Sequence, residues 1–192
     1  MGEGASGTWA DLVARYRRYR ALPFWGTKTF RPDEHGVLSP DLRAAMRRQG
    51  EAAAERVAEA ISRLKTHPSF PGDLRKVDQQ LLNRIESARL IPKRLQEALF
   101  AALVLDRGGY TCWYCGRNAD AVWEESDRRW TIWFEVDHRL PRALRGKDVL
   151  DNSVPACQRC NHAKGSLPEG PFMEELRSIA KSVSRRGDVT AS

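Results

Sequence analysis

All four cysteines of the chain fall in two Cys-x-x-Cys pairs, Cys112/Cys115 and Cys157/Cys160. Two thiolates two residues apart grip one tetrahedral ion, so the two pairs together supply the four ligands of a structural zinc site. In a secreted chain the same four could form two disulfides in any of three pairings. The opening residues, MGEGASGTWADL, offer neither a basic n-region nor an apolar h-region, so the chain reads as cytoplasmic. In a reducing compartment the pairs read as zinc ligands. Cys115 and Cys157 are 42 positions apart, longer than the usual ribbon spacing. The segment between them is therefore a loop closed by the metal, so that Asp137 within it and Asn161 just beyond it, distant in sequence, can be held face to face.

The first hundred residues have a different texture, with helical periodicity broken by Pro and Gly. Trp9, Leu12, Val13, Tyr16 and Tyr19 recur at spacings of three and four and form one apolar stripe, leaving Arg15, Arg17, Arg18 and Arg20 on the other faces. A loop over 22–38 follows. Ser39 reads as an N-cap with Pro40 at the first helical position, opening a helix to about Lys65 with Leu42, Met46, Ala53, Val57, Ile61 and Leu64 inward and Gly50 inside it. Asp73 is expected to cap the next helix, with Leu74, Val77, Leu81, Ile85 and Ala88 inward. A further helix is opened by Pro92 and closed by Gly108 and Gly109.

From Tyr110 the sequence turns aromatic and β-like. TCWYCG is a knuckle whose Gly116 permits the tight turn. RRWTIWFEVDH reads as one strand ending at Asp137–His138, RLPRALRGKDVLD as a loop, NSVPAC as a second strand, and QRCNHAKG as the start of a helix stopped by Gly165 and Pro168. A last amphipathic helix is expected to turn Phe172, Leu176, Ile179 and Val183 inward. The fold class is α+β, divided into a helical region over 1–91 that is a candidate DNA- or partner-binding unit, a zinc-stabilised domain over 92–170, and a C-terminal helix and tail over 171–192.

Hard oxygen donors from Asp137 and Asn161 suit Mg²⁺ or Mn²⁺. His138 beside them, with an ordinary pKa of about 6.5, can accept a proton near neutrality. The net charge of +7 and pI of about 9.5 favour a polyanionic partner. Between residues 138 and 164 six basic residues face two acids. A divalent ion, a base and a basic loop together make phosphodiester hydrolysis the natural reaction. No apolar run approaches the ~20 residues of a membrane span, so no membrane partner is expected.

The series CWYCG, EVDHRLPRALRGKDVLDN and CQRCNHAKG closely resembles the zinc-knuckle branch of the HNH endonucleases, the ββα-metal nucleases, over roughly residues 100–167. The resemblance implies that His138 is the general base and Asp137 a ligand of the catalytic metal. Asn152 would hold the loop and orient the histidine, and Asn161 would stand where many relatives have histidine. Arg139, Arg142, Arg145, Lys147 and Lys164 would contact backbone phosphates, adding salt dependence rather than sequence choice. The implied cofactors are structural Zn²⁺ and catalytic Mg²⁺ or Mn²⁺, and the implied partner is DNA, with RNA as the alternative. Restriction or anti-phage defence is the favoured setting, and a homodimer or larger complex would be needed to cut both strands together. The rival readings are a zinc-stabilised nucleic-acid-binding module without catalysis and an RNA-directed nuclease or toxin. Glu135 reads as a solvent-facing strand residue, and His162 is expected near the metal or the DNA but not on the zinc. His35 and His67 carry no partner signal.

Overall fold

The computed structural model describes residues 8–21, 40–68, 70–118, 122–125, 128–131 and 134–187. The 22–38 loop, His35 and the candidate cap Ser39 lie outside them, as do the side chains of Leu42, Met46 and Val183. Four helices come first: α1 (Trp9–Ala21), α2 (Pro40–Leu64), α3 (Gln79–Ser87) and α4 (Lys93–Arg107). The strands β1 (Val122–Glu125), β2 (Arg128–Thr131), β3 (Phe134–His138) and β4 (Ser153–Cys157) follow, then α5 (Gln158–Lys164) and α6 (Glu169–Gly187). Each sheet is an antiparallel pair, β1 with β2 and β3 with β4.

The periodicity of α1 delivers the expected stripe, with Trp9, Leu12, Tyr16 and Tyr19 buried and Val13 half-buried. Arg15 on the flank is not free for phosphate, because it pairs with Asp106 at 2.6 Å. Gly50 sits inside α2 without breaking it. A Cβ there would lie 2.2 Å from the Arg20 carbonyl oxygen, so glycine is what lets the end of α1 close on α2.

Two local expectations are corrected in the next segment. Asp73 precedes only a 3₁₀ turn, Leu74–Lys76, and the cap of α3 is Asp78, whose carboxylate accepts from the Leu81 N–H at 2.7 Å. The helix therefore starts later than expected, at Gln79, and ends at Ser87, so Ala88 is its exposed C-cap while Leu81 and Ile85 are buried.

Helix α4 joins the two halves, since it packs on α1, α2 and α3 and also on β3 and β4. At its end Gly108 is pressed against Pro155 of β4, where a Cβ would meet the proline ring at 2.2 Å. Tyr19 adds a polar link: its hydroxyl accepts from the Phe134 N–H at 2.8 Å and donates to the Phe134 carbonyl at 3.0 Å, so α1 satisfies the first residue of β3. One apolar cluster runs from Trp9 through α4 to Phe172.

The stretch read as one strand over 128–138 is two, β2 and β3, which belong to different sheets. The loop between His138 and Ser153 contains 3₁₀ turns at Arg142–Leu144 and Leu150–Asn152. Helix α6 buries Phe172 and half-buries Leu176, but Ile179 is exposed, because only the first turns of the helix reach the core.

Candidate functional site

In β3, alternation puts Glu135 and Asp137 on one face and Val136 and His138 on the other. Strand β4 pairs with β3 in the register Phe134↔Cys157 to His138↔Ser153. Cys157 therefore stands at the far end of the hairpin from His138, and it caps α5. The knuckle is sewn to β4 by the Trp113 N–H, which donates to the Pro155 carbonyl at 2.9 Å, and its turn closes through Gly116 N–H to Cys112 O at 2.9 Å.

These contacts bring Cys112, Cys115, Cys157 and Cys160 together, with their four sulfur atoms all within 4.8 Å of one another. Sulfurs at the corners of a tetrahedron around an ion ~2.3 Å away would be about 3.8 Å apart. The Cys115 and Cys157 sulfurs are 3.9 Å apart, the cysteines are all free, and the set fits a Zn²⁺ ion. The thiols do not ionise alike. Hydrogen bonds from Cys115, Cys157 and Cys160 pull Cys112 far below the usual thiol value. The bonds made to Cys112 and its neighbours push Cys157 and Cys160 up. A cation bound by all four must displace the remaining protons, so its retention depends on pH.

Asp137 is buried, and its carboxylate accepts from the Tyr114 hydroxyl at 2.5 Å and from the Lys164 ammonium at 3.1 Å. Lys164 is also buried and donates to the His138 carbonyl at 2.7 Å. Burial, reinforced by the bond to Asp137, raises the Tyr114 hydroxyl above its ordinary pKa and keeps it a donor. Lys164 is thus an internal partner of Asp137 and not a surface phosphate contact, which corrects the sequence expectation. Glu135 is corrected too: it accepts from the Asn161 amide and is half-buried. With that amide nitrogen engaged, the Asn161 side-chain oxygen is the atom left for a cation.

His138 is held from the loop. Its Nε2 lies 2.6 Å from the Asp148 carboxylate, which also takes Arg142 Nε at 2.7 Å and a second Arg142 nitrogen at 2.8 Å. An anionic acceptor at Nε2 requires the proton there, so the lone pair of the neutral ring is on Nδ1. The Arg142 guanidinium, helped by His138, holds the Asp148 carboxyl below its ordinary value against the opposing effect of burial. Asn152 clamps the same loop with three bonds: its oxygen accepts from the Leu140 N–H at 2.8 Å, and its nitrogen donates to the Leu140 and Lys147 carbonyls at 3.1 and 2.9 Å. It acts on the loop backbone and makes no bond to the His138 ring.

Of the basic residues expected to meet phosphate, Arg145 and Lys147 are exposed on the loop. Arg142 is exposed with two donors on Asp148. Arg139 lies 5.5 Å over the Trp113 ring and pairs with Glu169, so it braces the knuckle against α6. His162 is exposed and is not part of the sulfur cluster. Tyr114, Asp148 and Glu169 were not marked by the motif. Asp148, ten positions after His138 in a basic loop, was the one with a readable signal, an acid isolated among arginines and lysine.

Asp137, His138 and Asn161 open on one cleft of about 640 Å³. The site is a ββα hairpin-and-helix with four thiols gathered beside it and an Asp-His pair and an Asn on its cleft. Residues 112–167 match the family model of the HNH endonucleases. No curated protein matches the chain, and no solved structure does. Among the described residues no helix is long and apolar enough to cross a membrane.

Proposed function

We propose that the protein is a metal-dependent DNA endonuclease that hydrolyses phosphodiester bonds with His138 as the general base. The observation that carries this reading is that Asp137, His138 and Asn161 line one cleft while a carboxylate fixes the histidine ring. The oxygen donors on this cleft, the Asp137 carboxylate and the Asn161 amide, fit a Mg²⁺ or Mn²⁺ ion. Such an ion, when bound, would neutralise charge on the scissile phosphate and on the departing oxygen.

The chain's own residues do the rest. Asp148 holds Nε2–H, so Nδ1 takes the proton of the attacking water as its oxygen bonds to phosphorus. The bond from phosphorus to the 3′ oxygen breaks, leaving a 5′-phosphate on one product and a 3′ hydroxyl, protonated from solvent, on the other. Lys164 and Tyr114 hold the Asp137 carboxylate in place, and Asn152 keeps the loop under His138 from shifting. Arg145 and Lys147 meet backbone phosphate. Restriction of foreign DNA or anti-phage defence is the biological setting this activity suits.

The test is nicking of supercoiled plasmid by the zinc-loaded protein with Mg²⁺, with Mn²⁺ and with neither. Cutting that requires the added ion is expected. If neither ion supports cutting, the domain binds nucleic acid without hydrolysing it.

A further inference from the structure

The HNH match begins at Cys112, yet much of the cleft at His138 is built from residues before it. Gln79, Leu82 and Glu86 from α3, with Lys93, Glu97 and Phe100 from α4, make its other wall. That wall is locked to the catalytic loop: the Gln79 side-chain oxygen accepts from the Leu150 N–H at 2.8 Å. Helix α4 also packs directly on β3 and β4. The width of the cleft is therefore set by packed helices.

The two walls differ in charge. On the loop side the cleft is lined by Arg142 and Asp148, paired with each other, and Arg145 and Lys147 stand exposed further along the same loop. On the helical side Glu86 and Glu97 outnumber Lys93, which lies 3.9 Å from Glu97. Between those charges Leu82 and Phe100 are partly buried apolar surface. One wall therefore suits phosphate, and the other repels it while offering hydrocarbon and an aromatic ring to the face of a base. A duplex carries phosphates on both strands, and its second backbone would face Glu86 and Glu97. The cleft of about 640 Å³ is of a size to receive a small organic group such as a base.

Resting on the endonuclease reading above, we propose that the cleft takes an unpaired stretch of DNA. The scissile phosphate faces the basic loop, and the adjoining base lies against Leu82 and Phe100.

The experiment uses the full chain, zinc-loaded, in Mn²⁺, on a labelled duplex with a central unpaired bubble and on the same duplex fully paired. The bubble is expected to be cut about tenfold faster or more, the scale of one base–aromatic contact. Phe100→Ala should slow bubble cleavage. Glu86→Lys with Glu97→Lys should narrow the gap between the substrates, and because both glutamates are exposed the fold should survive, as a melting curve will check. Equal cutting of both substrates, or a charge reversal that leaves their ratio unchanged, would overturn the inference and leave the endonuclease reading standing. Failure to cut either substrate would remove both.

Discussion

In the helical half the deepest side chains are hydrocarbon: Leu12, Val57, Leu64, Leu95 and Leu99 are almost fully enclosed, and their burial holds α1, α2 and α4 together. Between residues 112 and 167 the interior adds to apolar side chains such as Phe134 and Val154 a set of pairings. Four thiols meet at one point, a buried lysine sits on a buried aspartate, and one asparagine side chain ties three backbone groups. Apolar burial tolerates adjustment, whereas buried polar partners fail when one member is lost. The comparison teaches that the two halves stabilise themselves by different physics and should answer to different perturbations.

The largest difference should come from zinc. Chelation, or Cys112→Ser or Cys160→Ser, should unfold the 112–167 segment, since structural zinc contributes about 10–16 kcal/mol of apparent binding free energy at neutral pH. Far-UV circular dichroism should retain most of the helical signal. If α1–α4 melt with the metal site, the halves are one cooperative unit and the contrast fails.

Next come two substitutions of similar cost and different signature. Lys164→Met leaves Asp137 buried without its cation and should lose about 3–5 kcal/mol. Leu99→Ala in α4 should lose about 2–5 kcal/mol through a cavity. Denaturant melts check both magnitudes. The comparison is sharpened if only the first change also weakens Mn²⁺-dependent cleavage measured under conditions where each variant is folded.

The smallest effect concerns Asp148. Its folded-state pKa is lowered, so its contribution is present above the ordinary carboxyl value and disappears as pH falls through the lower, folded value. The side chain is 54% exposed, so the contribution is at most about 1 kcal/mol. Asp148→Asn should therefore reduce stability slightly in neutral buffer and not at all in strong acid, as paired melts will show.

How far the sequence spoke follows the same divide. Apolar spacing located α1 and α2, because burial of a stripe is what makes those helices, and Pro92 with Gly108 and Gly109 bounded α4. Motif spacing located the sulfur cluster, because tetrahedral ligation restricts residue type and position. The pairings were not legible. Nothing local marks Tyr114 or Lys164 as partners of Asp137, since those contacts depend on how α5 and the knuckle pack across β3. The Asp78 cap was missed because Asp73 presents the same chemistry five residues earlier, and only the packing of Val77 and Leu81 chooses between them. Ile179 fits the period of α6 but lies beyond the core that would receive it. The helical wall of the cleft has no motif at all.

The central claim is that His138, poised by Asp148, performs the chemistry. The direct measurement is the single-turnover rate of DNA cleavage by wild type and His138→Ala, matched for zinc content and melting temperature. A loss of about 10²–10⁴-fold is expected for removal of a general base. A variant that cuts as fast as wild type would contradict the account.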